Sequence, residues 1–156
     1  MPATSTTAIT AAAGLVLTAL WVSRSAVLVT VRGKSMKPTL HNGDRVLVRR
    51  GRLPKRGQMV VVEQPAQIEQ EWLSEPSGLG CRNEPLSGRR WLIKRVAAVA
   101  GDPVLTGQLG ERDVSGLLVP KGHFVLLGDN PRVSLDSRQI GFFPDSRILG
   151  KVWRKL

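Results

Sequence analysis

The chain has 156 residues and a formal net charge of +11, with 16 glycines, 10 prolines, one cysteine and no tyrosine. This length suits one domain with a modest core, and the lone Cys81 excludes an internal disulfide framework. The scarcity of aromatic residues argues against a stacking platform for single-stranded nucleic acid. The basic charge would attract anionic lipid headgroups, nucleic acid or acidic proteins, unless it is simply a solvated surface.

The N-terminal segment is apolar, and no charged side chain precedes Arg24. Residues 6–22 approach the length of about 20 residues that crosses a bilayer, and Trp21 suits an interfacial anchor. We therefore predict one membrane-spanning helix within residues 1–24. A removed signal peptide and a buried helix are the alternatives, and the first lacks the usual basic residues before its apolar run.

Residues 25–156 are predicted to form one mostly β domain, a barrel or a curled sheet, because glycine and proline punctuate short Val, Leu and Ile runs. The predicted strands are residues 25–31, 45–49, 59–63, 91–99, 123–127 and 147–153. Residues 64–90 are polar and rich in Pro, Gly, Ser and Glu, which predicts an exposed excursion. Within it, residues 67–73 could form a short second helix.

Ser35 lies in a loop in which Gly33 permits close backbone approach and Pro38 favours an extended conformation. A serine hydroxyl is a poor nucleophile and needs a neighbouring base. The two histidines, His41 and His123, lie in a polar turn and at a strand start, and neither suits that task. Alone, a Ser-Met-Lys-Pro loop is a common surface feature.

Lys94 is the candidate base. Strand periodicity places it on one face with Leu92, Val96 and Ala98, where desolvation would lower its pKa toward the range a general base needs. A lysine in an apolar strand more often lies at an edge with its ammonium in water. In combination with Ser35, however, it predicts a Ser–Lys dyad and makes peptide-bond hydrolysis the leading interpretation.

A third stretch, residues 128–141, contains a Gly-Asp-Asn turn followed by Ser134, Asp136 and Arg138. These polar residues could brace the dyad. Alone, the stretch would be interpreted as a plain turn with a surface Asp136–Arg138 pair.

Together these stretches resemble the type I signal peptidase family of membrane-bound serine proteases, over about residues 27–151. The resemblance is to compact members, such as those of Gram-positive bacteria and the mitochondrial inner membrane. The matching motifs are Ser35-Met36-x-Pro38-Thr39-Leu40, Gly43-Asp44-x-Val46, Lys94-Arg95-Val96 with Gly101-Asp102, Gly128-Asp129-Asn130-x-x-x-Ser134-x-Asp136-Ser137-Arg138-x-x-Gly141, and Gly150-Lys151.

The resemblance implies that Ser35 is the nucleophile and Lys94 the general base, without metal or cofactor. Ser134 would orient the lysine, and an Asp136–Arg138 ion pair would brace the site. The substrate would bind as an added extended strand. Pockets for alanine-like side chains before the scissile bond would be lined by Val29, Val31, Leu40 and Ile93.

The implied activity is removal of N-terminal signal or leader peptides from translocated proteins after Ala-x-Ala-like sequences. A maturation protease dedicated to one precursor remains an alternative. The implied location is a single-pass membrane protein with its catalytic domain on the extracytoplasmic side, more readily of a bacterial plasma membrane than of the mitochondrial inner membrane. The expected partners are signal-peptide-bearing precursors and anionic lipid, with no nucleic acid, and the sequence leaves the oligomeric state open.

The charges after the predicted span conflict with this orientation. Arg24, Arg32 and Lys34 all follow the span, so the positive-inside rule would leave the domain in the cytoplasm. Three other functions stay open. The first is a self-cleaving repressor, because Ala13-Gly14 resembles the pair at which such repressors cleave themselves. The others are a basic β-barrel that binds nucleic acid and an inactive relative, which the intact Ser35, Lys94 and Ser134 disfavour.

Overall fold

The computed structural model describes residues 26–51, 53–65 and 89–156. The predicted membrane helix within residues 1–24, the predicted helix at residues 67–73 and most of the excursion, including Cys81, lie outside the described residues. In the described ranges, no helix has both the length and the apolar character needed to cross a bilayer.

The described part is mostly β, as predicted, and forms one curled antiparallel sheet in the order β1-β2-β7-β3-β4-β5-β6. The strands are β1 (Ala26–Thr30), β2 (Arg45–Arg50), β3 (Met59–Glu63), β4 (Trp91–Val99), β5 (His123–Leu127), β6 (Phe143–Pro144) and β7 (Ile148–Lys155). All six predicted strands are present, three of them with the predicted bounds. The two-residue β6 and the one-turn helix α1 (Ser137–Ile140) were not predicted from the sequence.

The middle of the sheet is covered on both faces. Val60 and Val62 of β3 pack into one apolar cluster with Phe124, Leu126 and Phe143. The intervening Val61 packs into a second cluster on the opposite face. A strand with both faces buried needs an unbroken apolar run, which explains the three consecutive valines.

Strand β4 alternates between buried and half-buried residues. Lys94, Val96 and Ala98 are 1%, 1% and 2% exposed, as predicted, whereas Leu92, the first residue of the predicted inward face, is half-buried. Lys94 lies opposite Val60 in the β3–β4 ladder. The sheet register therefore fixes the lysine in the interior.

The loop after β1 is pinned to the core. Its base is closed by backbone hydrogen bonds from Val31 N to Asp44 O at 2.7 Å and from Gly43 N to Val31 O at 2.9 Å. Met36 and Leu40 are only 2% and 1% exposed. These anchors hold Ser35 in a defined position beside the sheet.

Candidate active site

Ser35 is half-buried at a cleft between the loop and the start of β4. Its carbonyl accepts a hydrogen bond from Asn130 N at 2.9 Å, and Asn130 Nδ2 donates to Lys34 O at 3.3 Å. The Gly-Asp-Asn turn is therefore bonded directly to the serine loop. Chain segments almost a hundred residues apart meet at this point.

Lys94 is enclosed, and its pKa is lowered from 10.5 to about 8. Burial is the main cause, since it disfavours the charged ammonium; the Asp136 carboxylate raises the pKa, and the Arg138 guanidinium lowers it further. Holding an ammonium there costs the folded protein about 3 kcal/mol at neutral pH. A lysine with this pKa is partly neutral near pH 8 and can accept a proton.

The Asp136 carboxylate is completely buried and lies at the centre of the third stretch. It accepts hydrogen bonds from Gly128 N at 2.8 Å and from Arg138 Nε at 2.9 Å. It also caps helix α1, because it accepts from Arg138 N while Gln139 Oε1 accepts from Asp136 N. The Asp136–Arg138 ion pair anticipated from the sequence is present.

Burial alone would raise the pKa of Asp136, but hydrogen bonds from Arg138, the Ser134 hydroxyl and Gly128 N outweigh it and leave that pKa below its ordinary value. Ser134 Oγ is buried, and its interaction with the Asp136 carboxylate falls short of a well-formed hydrogen bond, so it has no such partner among the described residues. The hydroxyl can therefore still donate to another group.

A second ion pair, which the sequence analysis missed, links β4 to the serine loop. Arg95 donates to Asp129 through Nε at 2.8 Å and Nη2 at 2.7 Å, in the bidentate geometry that favours strong pairs. Thr39 Oγ1 donates to the same carboxylate at 2.5 Å. Arg95 holds the pKa of Asp129 below its usual value. Because Arg95 follows Lys94 and Thr39 lies near Ser35, the link ties the two candidate catalytic segments together.

The cleft has a volume of about 440 Å³. The predicted pocket residues Val29, Val31 and Ile93 line it, but Leu40 does not and instead packs in the core. Other lining residues were not predicted from the sequence; they include Met36, Trp91, Leu92, Arg32, Arg89 and Arg90. These lining residues could have been recognised from the sequence, because they lie within a few positions of Ser35 or Lys94 along the chain.

The other titratable candidates stay away from this cleft. Neither His41 nor His123 lines it, and His123 Nδ1 lies 3.0 Å from Lys121 O. Within the described ranges, no cluster of His, Cys, Asp and Glu has the arrangement of a metal site. The cleft therefore combines a half-buried serine with an extended apolar wall, and the enclosed Lys94 directly follows the lining residues 91–93 in β4. A serine and a lysine with a lowered pKa are residue types that a serine hydrolase can use.

Comparison with known proteins agrees with this class. The model of the family described as "Signal peptidase, peptidase S26" matches residues 3–109 and 105–155. The chain is 31% identical to signal peptidase IB of Staphylococcus aureus over 144 residues, covering 79% of this chain and 73% of the relative. It is 32% identical to mitochondrial inner membrane protease subunit 1 of Homo sapiens over 133 residues, covering 83% and 68%. The chain therefore belongs to the signal peptidase family, as its motifs predict, and is a peptide hydrolase.

Proposed function

We propose that this protein is a membrane-anchored serine endopeptidase that removes N-terminal signal peptides from translocated precursors. The observation that carries the proposal is the enclosure of Lys94, with its pKa lowered to about 8, on the strand that the Arg95–Asp129 pair links to the serine loop. A lysine with a purely structural role would not need an enclosure that lowers the stability of the folded protein by about 3 kcal/mol. The name of the Staphylococcus aureus relative supports the substrate class.

The chemistry follows from the two side chains. Neutral Lys94 Nζ takes the proton of the Ser35 hydroxyl as Oγ attacks the scissile carbonyl carbon, and the Ser35 N–H stabilises the developing oxyanion. The C–N bond then breaks, the lysine protonates the departing amine, and an acyl-enzyme remains. Water, deprotonated by neutral Lys94, attacks the ester and releases the serine.

The neighbouring polar residues position the base. In this mechanism Ser134 orients the lysine through its hydroxyl, and Asp136 fixes the turn of Gly128. Arg138 balances the Asp136 charge, so the buried carboxylate does not hold Lys94 fully protonated.

The substrate binds as an extended chain along the cleft. Strand β1 lies at the end of the sheet and pairs with β2 alone among the described strands, so its other edge can accept main-chain hydrogen bonds. Val29, Val31 and Ile93 leave room for small side chains before the scissile bond. This favours cleavage after Ala-x-Ala-like sequences.

The location follows from the same function. A span within residues 1–24 anchors residues 25–156 as a single catalytic domain on the extracytoplasmic side, where translocated precursors emerge. The net charge of +11 favours anionic headgroups.

Cleavage of an Ala-x-Ala reporter peptide by the full chain in detergent or lipid tests the proposal. Ser35→Ala and Lys94→Met should each reduce kcat at least roughly 1,000-fold, because each removes a member of the dyad. Lys121→Met removes an exposed lysine outside the cleft and should cleave normally. Retained cleavage in either dyad variant would remove that residue from the mechanism.

A further inference from the structure

Among the described residues, the charged side chains at the border of the cleft are all positive. Its lining includes Arg32, Arg89 and Arg90 and contains no acidic side chain within the described residues. Arg32 and Arg90 are exposed and form no salt bridge with another described residue. Their charges are available to a bound chain.

The carboxylate behind this border does not neutralise it. Glu63 is 5% exposed, and its Oε2 accepts from Arg89 Nη1 at 3.1 Å and from Arg147 Nη1 at 3.0 Å. The Glu63 carboxylate is thus bound to Arg89 and Arg147 and forms no salt bridge with Arg32 or Arg90. The ion pairs also fix Arg89 against the wall of the cleft.

The position of Arg90 defines which part of a substrate it meets. It precedes Lys94 by four residues, and the intervening Trp91, Leu92 and Ile93 line the cleft. At about 3.3 Å per extended residue, Arg90 lies some 13 Å along the wall from the lysine, about the length of four substrate residues. It lies beyond the apolar stretch that receives small side chains.

We propose that this arginine border selects an acidic side chain at the fourth or fifth residue before the scissile bond. Arg90 is the main specificity-determining residue, and Arg32 adds to the positive potential from the opposite wall. The inference rests on the proposed function, since it assumes that the chain before the bond occupies this cleft.

The test uses the full chain in non-ionic detergent and reporter peptides with an Ala-x-Ala cleavage site. A single Glu, Gln or Lys is moved from the fourth to the seventh residue before the bond, so that both alanines of the cleavage site are kept. Exposed charge pairs lead us to expect about threefold to fivefold higher kcat/KM for Glu than for Gln at the fourth or fifth residue. The preference should fade in 0.5 M NaCl, where the Debye length falls to about 4 Å.

Charge reversal at Arg90 gives the sharper result. Arg90→Glu should invert the preference, so that the Lys peptide is cleaved faster than the Glu peptide. Arg154→Glu is the matched control, because it makes the same change at an exposed position outside the cleft and should keep the Glu preference.

Two outcomes would overturn the inference in different ways. Efficient cleavage that does not depend on the peptide's charge would refute the acidic subsite and leave the proposed function intact. The same holds if Arg90→Glu weakens only the binding of the enzyme to vesicles of anionic lipid. Failure of the unsubstituted enzyme to cleave every peptide would refute the proposed function, and this inference with it.

Discussion

Gly128 lies so close to Ser134 that a Cβ atom added at position 128 would stand 2.1 Å from Ser134 Oγ and 2.8 Å from the carbonyl oxygen of Ser35. Only a residue without a side chain fits between these two groups. The close approach of the serine loop to the third stretch therefore depends on this glycine.

Gly128→Ala should reduce kcat about 100-fold, because displacing catalytic groups by about 1 Å has effects of that size. Steady-state kinetics per folded molecule, with folding checked by circular dichroism, measures this. Gly116→Ala is the control: its added Cβ meets nothing within 4 Å, although its φ of +70° makes the substitution strained. A Gly128→Ala enzyme as active as the Gly116→Ala enzyme would show that the contact is unimportant.

The pH dependence of kcat/KM should follow the deprotonation of Lys94. The neutral amine is the active form, so activity should rise with pH, reach half its maximum near pH 8 and then level off. A profile that reaches its plateau below pH 6 would exclude Lys94 as the base.

Substitutions at the Asp136–Arg138 pair should move this midpoint in opposite directions. The Asp136 carboxylate raises the pKa of Lys94 and the Arg138 guanidinium lowers it. Asp136→Asn should therefore shift the midpoint below that of the unsubstituted enzyme, and Arg138→Gln should shift it above. Both variants will also lose activity, so the readout is the midpoint. Shifts of the same sign would mean that the pair acts through structure alone.

Lys94→Met should stabilise the inactive protein. Below pH 8 Lys94 is protonated in the folded and unfolded states, and the folded state bears the full desolvation cost. The variant should then gain up to about 3 kcal/mol in the free energy of unfolding at pH 7. The gain should shrink between pH 8 and 10.5, as the folded lysine loses its proton first. Urea unfolding at pH 7 and pH 10 measures the gain, and equal values at both would contradict the lowered pKa.

Asp129→Asn should loosen the link between β4 and the serine loop. The neutral amide keeps one acceptor but loses the bidentate ion pair with Arg95, so we expect kcat to fall about tenfold while the midpoint near pH 8 is kept. Asp113→Asn makes the same change in an exposed loop and should leave kcat unaltered. A shifted midpoint with normal kcat would indicate a different role for Asp129.

Local patterns predicted much of the fold. The consecutive valines of β3 indicate a strand buried on both faces, and the alternation around Lys94 in β4 indicates a strand buried on one face. Both signals lie in residues that are neighbours along the chain, so they can be recognised in the sequence. The sheet order is not local, since β7 enters between β2 and β3 through pairings such as Val61 with Gly150. Helix α1 was missed because its one turn is held by the capping box of Asp136 and Gln139 rather than by an apolar period.

The identities of the candidate catalytic residues could be predicted from the sequence, but their contacts could not. Ser35 and Lys94 stand out by residue type and surroundings. The assignment of Leu40 to the cleft came from the family resemblance, whereas its side chain anchors the loop in the core. The bidentate Arg95–Asp129 pair joins residues 34 positions apart, and no local pattern specifies it.

Direct titration of Lys94 tests the central claim most sharply. In the full chain labelled with ¹³C at the lysine ε-carbons, one resonance should titrate at about 8, vanish in Lys94→Met and match the midpoint of kcat/KM. If every lysine resonance instead titrates near 10.5, the ordinary value, Lys94 is protonated at neutral pH and is not the base.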